Sequence, residues 1–326
     1  MKLFDHVLKN LATACSMAFL AAAVATGALA QDRYPTQPIK IVVPYPPGGS
    51  TDIIARQFAE QLTKELGQPV LIDNRPGGGT NIGADLVTKS RPDGHTLMFG
   101  GSSQVLNPIF GPIPAFDLMT AFEPVSLVSR VPFVVAANPK MPFNTGSELL
   151  SAAKASPGKH SISSAQLDLY VELLNSKAGI NLLHVPYKGG APATTDAISG
   201  QVDMVYALVP VLLPHIQGGR LKALAVTSAK RLAALPDVPS LAELGVDYDV
   251  AVWYGLLAPA GTPKYIVDRL ASATQKIMAQ PEVMQKIRTT GAEPAFSKPE
   301  ELQAMLRKDT AFWQQVAKSM PHLVQK

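Results

Sequence analysis

Ile39-Lys40-Ile41-Val42-Val43-Pro44-Tyr45-Pro46-Pro47-Gly48-Gly49-Ser50-Thr51-Asp52 decides the fold. Its first five residues are β-branched apart from Lys40, the composition of a short buried strand. Pro44 cannot donate to a ladder and ends it. A proline- and glycine-rich loop follows, then Ser50 or Thr51 as helix N-cap with Asp52 in the first turn. Ile54, Phe58, Leu62 and Leu66 recur every fourth residue beside Ala55 and Ala59, so the helix carries one apolar face. Gly67 and Pro69 end it. A strand, a glycine loop and a helix in that order predict an α/β arrangement with a parallel sheet.

The unit repeats outward from there. Val70-Leu71-Ile72 reads as a strand, Asn74 to Gly79 as a loop, and a helix starts at Thr80 or Asn81. Thr96 to Phe99 is a strand running into Gly100-Gly101-Ser102-Ser103. A second series begins with the extended run Pro132 to Ala136. It continues through helices at Ser147–Ala155 and Leu167–Ala178, a strand at Asn181–Val185, the loop Tyr187-Lys188-Gly189-Gly190 and a helix at Pro192–Ser199. Val202–Leu208 and Leu221–Thr227 are further strands, and Val250–Leu257 returns from the series. Lys264–Ala279, Pro281–Thr290 and Pro299–Lys318 read as closing helices. Two α/β units with mainly parallel sheets flanked by helices, joined by extended runs near 130 and 252, are the expected division.

Residues 1–30 have the pattern of an export signal: Lys2 and Lys9, an apolar run from Leu11 to Val24, and Ala28-Leu29-Ala30 before Gln31. Cleavage after Ala30 removes Lys2, Lys9 and Asp5 and lowers the net charge from +4 to +3. It also removes Cys15, the one cysteine, so no disulfide framework or cysteine-rich zinc module is available. The weak charge and the lack of a basic run exclude a nucleic-acid partner.

Three junctions share one chemistry: Pro47-Gly48-Gly49-Ser50-Thr51-Asp52, Gly77-Gly78-Gly79-Thr80-Asn81, and Lys188-Gly189-Gly190-Ala191. Free N–H groups at a helix start carry partial positive charge and accept anions, and glycine lets a ligand approach the backbone. Ser50, Thr51 and Thr80 add hydroxyls. A carboxylate or phosphate cradle follows as the functional reading, set at the carboxyl-end loops where open α/β sheets bind ligands. Tyr45 and Tyr187 stand beside the loops as grips for an apolar part. Asp52 either faces the first junction or serves its helix start. Asp203, a charge in an expected strand, braces the site or a loop and is counted among the candidate ligand-binding residues.

Other chemistries lack their residues. No G-x-x-x-x-G-K-[ST] is present, and Ile82 breaks the one approach to G-x-G-x-x-G, so no nucleotide cofactor is expected. There is no G-x-S-x-G elbow. His95, His160, His184, His215 and His322 are scattered without H-x-x-x-H spacing, so neither a metal nor a nucleophile–base pair is legible.

The ordered set of motifs resembles the tripartite tricarboxylate transporter substrate-binding receptors, the Bug family. It comprises Tyr34-Pro35-Thr36-Gln37-Pro38-Ile39, Pro46 to Asp52 with Ala55-Arg56, Asn74 to Gly83, His184-Val185-Pro186-Tyr187-Lys188-Gly189, Gly200-Gln201-Val202-Asp203-Met204, Leu235-Pro236-Asp237-Val238-Pro239 and Ala258-Pro259-Ala260-Gly261-Thr262-Pro263. The resemblance implies a two-domain periplasmic binding protein of type II kind: residues 31–131 with 253–326 as one domain, 132–252 as the other, and a ligand cleft between them. It implies a small carboxylate near Gly48, Gly49, Ser50 and Thr51, faced by Gly189, Gly190 and Ala191, with Ser102, Ser103 and Gln104 on the wall. It implies a monomer delivering to a membrane permease, or alternatively a co-receptor reporting to a sensor kinase. Two departures stand out. The stretch His160 to Leu167 is shorter than in the family and leads to Asp168-Leu169 where a His-Leu pair is usual, and Ala207-Leu208 replaces a polar position. Both fall on the second wall and leave open a less polar ligand, a less closed cleft or a loss of binding.

Overall fold

The computed structural model describes residues 34–165 and 168–324; the export segment, Gln31 and Leu167 lie outside the described residues. β1 (Ile39–Val43), α1 (Ser50–Leu66), β2 (Val70–Asn74), α2 (Asn81–Thr88), β3 (Thr96–Gly101), α3 (Ser103–Phe110) and α4 (Leu118–Ala121) come first. β4 (Phe122–Ala137) leads to α5 (Gly146–Ala155), β5 (Ser161–Ala165), α6 (Asp168–Ala178), β6 (Leu183–Tyr187), α7 (Gly190–Ser199), β7 (Met204–Leu208), α8 (Val209–Gln217) and β8 (Lys222–Val226). β9 (Ala251–Pro259), α9 (Lys264–Met278), α10 (Pro281–Thr289), β10 (Glu293–Pro294) and α11 (Pro299–Ser319) complete the chain.

The strands run in the order β2-β1-β3-β9-β4-β7-β5-β6, with β8 and β10 also on β4. The expected parallel pairs are present within each half: β1 with β2 and β3, and β5 with β6 and β7. The two long connecting strands are antiparallel to their neighbours, β9 to β3 and β4, and β4 to β7 and β8, so the sheet is mixed rather than mainly parallel. The reason is in β4 and β9. Each extended run expected as a connector is a full strand, and the two pair with each other from Phe122↔Pro259 to Pro132↔Ala251. Beyond Pro132, β4 pairs with β7 and β8 instead, so one strand serves both halves.

Packing follows the sequence period. β1 buries Ile39, Ile41, Val42 and Val43 completely. α1 lays Ile54, Ala55, Phe58, Ala59 and Leu62 on that sheet face with α9 and α10 beside it. Truncating Phe58 there to Ala costs about 3–5 kcal/mol by the usual cavity effect. Gly67 ends α1 at φ 71°, its N–H on the Thr63 carbonyl at 2.9 Å, a left-handed cap that favours glycine. The opposite sheet face carries α3, α6 and α11 around Phe133, Tyr170, Tyr206, Trp253 and Trp313. α7 and α8 cover the remaining face of the second half through Ala193, Ala197, Val209 and Leu212.

Candidate ligand cleft

The register of β4 brings two sheet edges face to face. Through Tyr254, the carboxyl end of β3 at Gly101 lies level with Ser129. The carboxyl end of β7 at Leu208 lies opposite Phe133. β3 runs along β4 and β7 runs against it, so the two carboxyl ends point at each other across four residues of β4, about 13 Å at ~3.3 Å each. Because β1, β2 and β3 are parallel, the loops Pro44–Gly49 and Arg75–Thr80 and the turn at Ser102 leave the first edge together. The loops after β6 and β7 leave the second.

The first edge is built around Asp52. Its carboxylate accepts from the Gly48 N–H at 2.9 Å, from Arg56 Nε at 2.9 Å and from Asn74 Nδ2 at 2.9 Å. Asn74 Nδ2 also donates to the Tyr45 carbonyl at 3.2 Å, and Arg56 donates to Asn74 Oδ1. Burial pushes the Asp52 carboxyl up, but Arg56, the Gly48 N–H and Asn74 outweigh it and hold the group below its ordinary value. Asp52 therefore shapes the loop and is turned away from the open space. Gly48 at φ 84° needs its missing side chain for this turn. A Cβ on Gly48 would meet no atom within 4 Å, so the loop's outer side is open. Gly49, not Ser50 or Thr51, is the N-cap. The first intrahelical donor is Ile53, which leaves the amides of Ser50, Thr51 and Asp52 without acceptors among the described residues.

The neighbouring side chains are mostly committed to the scaffold. Tyr254 is buried with its ring edge to face with Tyr45, centroids 6.2 Å apart, and Thr51 is buried. Tyr45 donates to Ser103 Oγ at 2.9 Å, and burial, with nearby Tyr254, pushes its phenol up. Ser102 Oγ accepts from the Trp253 amide at 3.0 Å. Gln104 accepts from the Gly101 amide at 2.7 Å and donates to Thr80 Oγ1 at 2.8 Å. Thr80 has φ 85°, the one positive value outside glycine among the described residues. Gln104 and Asn107 hold it there and fix the glycine loop Gly77–Gly79 to α3.

At the second edge, α7 starts at Gly190 with Gly189 as N-cap and no side-chain cap. The Gly190 and Ala191 amides have no acceptor among the described residues, Pro192 has none to offer, and Ala193 is the first intrahelical donor. A Cβ on Gly190 would touch only Val211 Cγ1, at 3.8 Å. Tyr187 hydrogen-bonds Asp196 at 2.5 Å and packs beside α7, so its hydroxyl braces that helix. Ala207 is buried and Leu208 half-buried, so this wall is apolar.

Asp203 is not at either edge. It accepts from the Ser161 amide at 2.9 Å and donates its own amide to Ser161 Oγ at 2.9 Å. These are the amino ends of β5 and β7, the far end of the sheet from Tyr187 and Leu208. Of the two roles expected for it, bracing the site or a loop, its contacts are those of a loop brace, because a parallel pair carries its loops of one kind on one edge.

One constellation escaped the sequence. Ser164 Oγ lies 2.7 Å from His184 Nε2, and His184 Nδ1 lies 3.5 Å from Asp168 Oδ1. The order is that of a hydrolase triad, yet Ser164 is completely buried. Burial holds His184 below its ordinary value, against Asp168 and Glu172. The row ties β5 and β6 to the start of α6. Among the described residues no group of three or more metal-ligating side chains occurs.

The description of the tripartite tricarboxylate transporter family receptor matches residues 54–321. The chain belongs to that family. Protein BugT of Bordetella pertussis is 34% identical over 302 residues, 90% of this chain and 93% of its own. A Rhodopseudomonas palustris protein, Rpa4515, solved with adipate, is 34% identical with a TM-score of 0.78 over 88% of this chain and 98% of its own. MatC from Rhodopseudomonas palustris, solved with bound malate, is 29% identical with a TM-score of 0.71 over 87% and 99%. The family members are periplasmic solute-binding receptors rather than enzymes, and this receptor has their two-part architecture. No helix among its described residues is long and apolar enough to cross a membrane.

Proposed function

We propose that this receptor captures a small carboxylate between the two edges and delivers it to the membrane permease of a tripartite tricarboxylate transporter. The carrying observation is the pair of opposed helix starts, α1 and α7, each with unpaired first-turn amides beside glycines whose outer side is open. Two such starts accept a small anion, a carboxylate among them, from opposite sides. Gly48, Gly49, Ser50 and Ser103 form one wall, and Gly189, Gly190 and Ala191 the other. Asp52, Thr51, Gln104, Ser102 and Tyr187 act by shaping the walls, and Pro47 sets the loop's path. The adipate and malate complexes of two relatives support the ligand class.

In this reading residues 31–131 with 253–326 move against 132–252, and β4 and β9 bend where they pass from one half to the other. Closure follows from contacts that form only when both walls meet the ligand. The receptor acts as a monomer in the periplasm after removal of residues 1–30. Calorimetry against adipate, malate and single-carboxylate acids tests the class. Saturable heat with at least one of them is expected; silence across the panel, with no thermal shift, overturns it.

A further inference from the structure

Trp253 and Trp313 are the only tryptophans of the chain, and both line one cavity of about 410 Å³. The volume falls in the range of small-molecule sites, roughly 300–1,000 Å³. The cavity sits beside the crossing strands. Arg130 of β4, Asp249 to Trp253 at the start of β9, Tyr170 of α6 and Met305 to Trp313 of α11 form its walls. It shares Ser102 with the cradle candidates and takes none of the glycines of either edge, so its lining differs from theirs although it lies at the same crossing of β4 and β9.

Its chemistry is two-sided. Trp313 meets Phe312 at 4.9 Å and Tyr170 at 5.5 Å between ring centroids, both edge to face. Phe312 is 39% exposed, a large apolar side chain left in the open at a cavity wall. Asp309 takes the Trp253 indole N–H on Oδ2 at 3.0 Å, and Oδ1 accepts nothing among the described residues. Arg130 reaches Asp249 at 3.2 Å. Lys308 makes no ion pair among the described residues. Two cations and two carboxylates therefore share an aromatic chamber. A ligand with only a carboxylate leaves Asp309 facing a like charge, and a ligand with only an ammonium meets Lys308. Aromatic faces favour an ammonium and an apolar side chain together.

We propose that this chamber is a second binding site, for a small zwitterion with an apolar side chain: an amino acid of the leucine type, its ammonium toward Asp309 and its carboxylate toward Lys308. The site stands independently of what the cleft binds. Because both tryptophans face it, the indole fluorescence of the full receptor reports occupancy directly. L-leucine is expected to change the emission saturably. Isocaproate, which lacks the ammonium, and isoamylamine, which lacks the carboxylate, bind roughly tenfold weaker or worse, the cost of one charge-assisted hydrogen bond. Asp309→Asn and Lys308→Gln each weaken leucine about tenfold. Lys308 is exposed, so its variant folds even if that at Asp309 perturbs Trp253. Gly190→Val leaves the leucine signal intact. No saturation by millimolar leucine overturns the proposal, as does equal affinity for isocaproate. Loss of the signal in Gly190→Val also overturns it, by assigning leucine to the cleft.

Discussion

The two edges that face each other across β4 use the same backbone device and differ in how it is held. At the first, Asp52 alone fixes Gly48, Arg56 and Asn74, while Tyr45–Ser103 and Gln104–Thr80 tie three loops into one block. At the second, Gly189 and Gly190 open α7 with no side-chain cap, and Tyr187 braces the helix one turn behind. A cradle ordered in advance loses little entropy when a ligand arrives. In the function we propose, the first edge serves as a preformed anion seat and the second as the adaptable side, where the wall residues Ala207 and Leu208 would meet whatever lies beyond the carboxylate.

The largest effects come from unmaking each cradle in its own way. Asp52→Ala strands the Gly48 N–H and the Asn74 amide, and carboxylate affinity falls roughly a hundredfold, the worth of two hydrogen bonds to a charged group. Stability drops with it by about 2 kcal/mol, read from denaturant unfolding. Gly190→Val separates the two quantities. Its Cβ meets only Val211, so unfolding stays within about 0.5 kcal/mol of the parent, while the dissociation constant by calorimetry rises roughly tenfold as the side chain enters the ligand's approach. If Asp52→Ala binds normally, the first seat is not preformed by that carboxylate and the contrast fails.

Much of this architecture is legible in the sequence, because β1, α1, α2, α7 and the closing helices declare themselves by apolar period and glycine junctions. The missed elements have physical reasons. β5, Ser161-Ile162-Ser163-Ser164-Ala165, carries one β-branched aliphatic residue, and its serines are satisfied by buried hydrogen bonds that no pattern displays. α8 contains Pro210 and Pro214, and β4 contains Pro124 and Pro132, each of which reads locally as a break. At the candidate site, the loops that carry the named residues were legible and the side-chain directions were not. Asp52 is in place but turns back on its own loop. Asp203 lies in the turn just before β7 rather than in the strand, at the end of the sheet away from the candidate cleft. Ser164, His184 and Asp168 lie up to twenty residues apart and meet only through strand pairing and the turn into α6.

Acid should loosen the two edges in different ranges. His184 is held below its ordinary 6.5 by burial, against the pull of Asp168 and Glu172. The folded state therefore binds its proton less readily than the unfolded chain does. Its contribution is complete above pH 6.5 and is lost as pH falls from there through the folded value. His215, also lowered by burial and by Arg220, adds to the same slope in the same half. Asp52 lies below its ordinary 3.8, so its contribution is complete above that value and disappears only as pH falls below it. Hydrogen exchange should show β5, β6 and the start of α6 losing protection below pH 6.5 while the Pro44–Gly49 loop keeps its own. His184→Asn should flatten the first response and leave the second. Simultaneous loosening of both edges breaks the contrast.

The smallest effect is expected at the far end of the sheet. Asp203 accepts from the Ser161 amide and lies 3.6 Å from His160 Nδ1, where β5 and β7 begin. Asn at this position keeps one acceptor oxygen for Ser161 and loses only the charge, so unfolding should cost about 0.5–1 kcal/mol. Five residues of β7 separate the turn at Asp203 from Leu208, about 16 Å of strand, and no loop of that end reaches the facing edge. Carboxylate affinity in Asp203→Asn should therefore match the parent within about twofold, a change under ~0.5 kcal/mol. A larger loss would mean that the amino ends of these strands shape the cleft, and that the carboxyl-end edges are not the whole of the working surface.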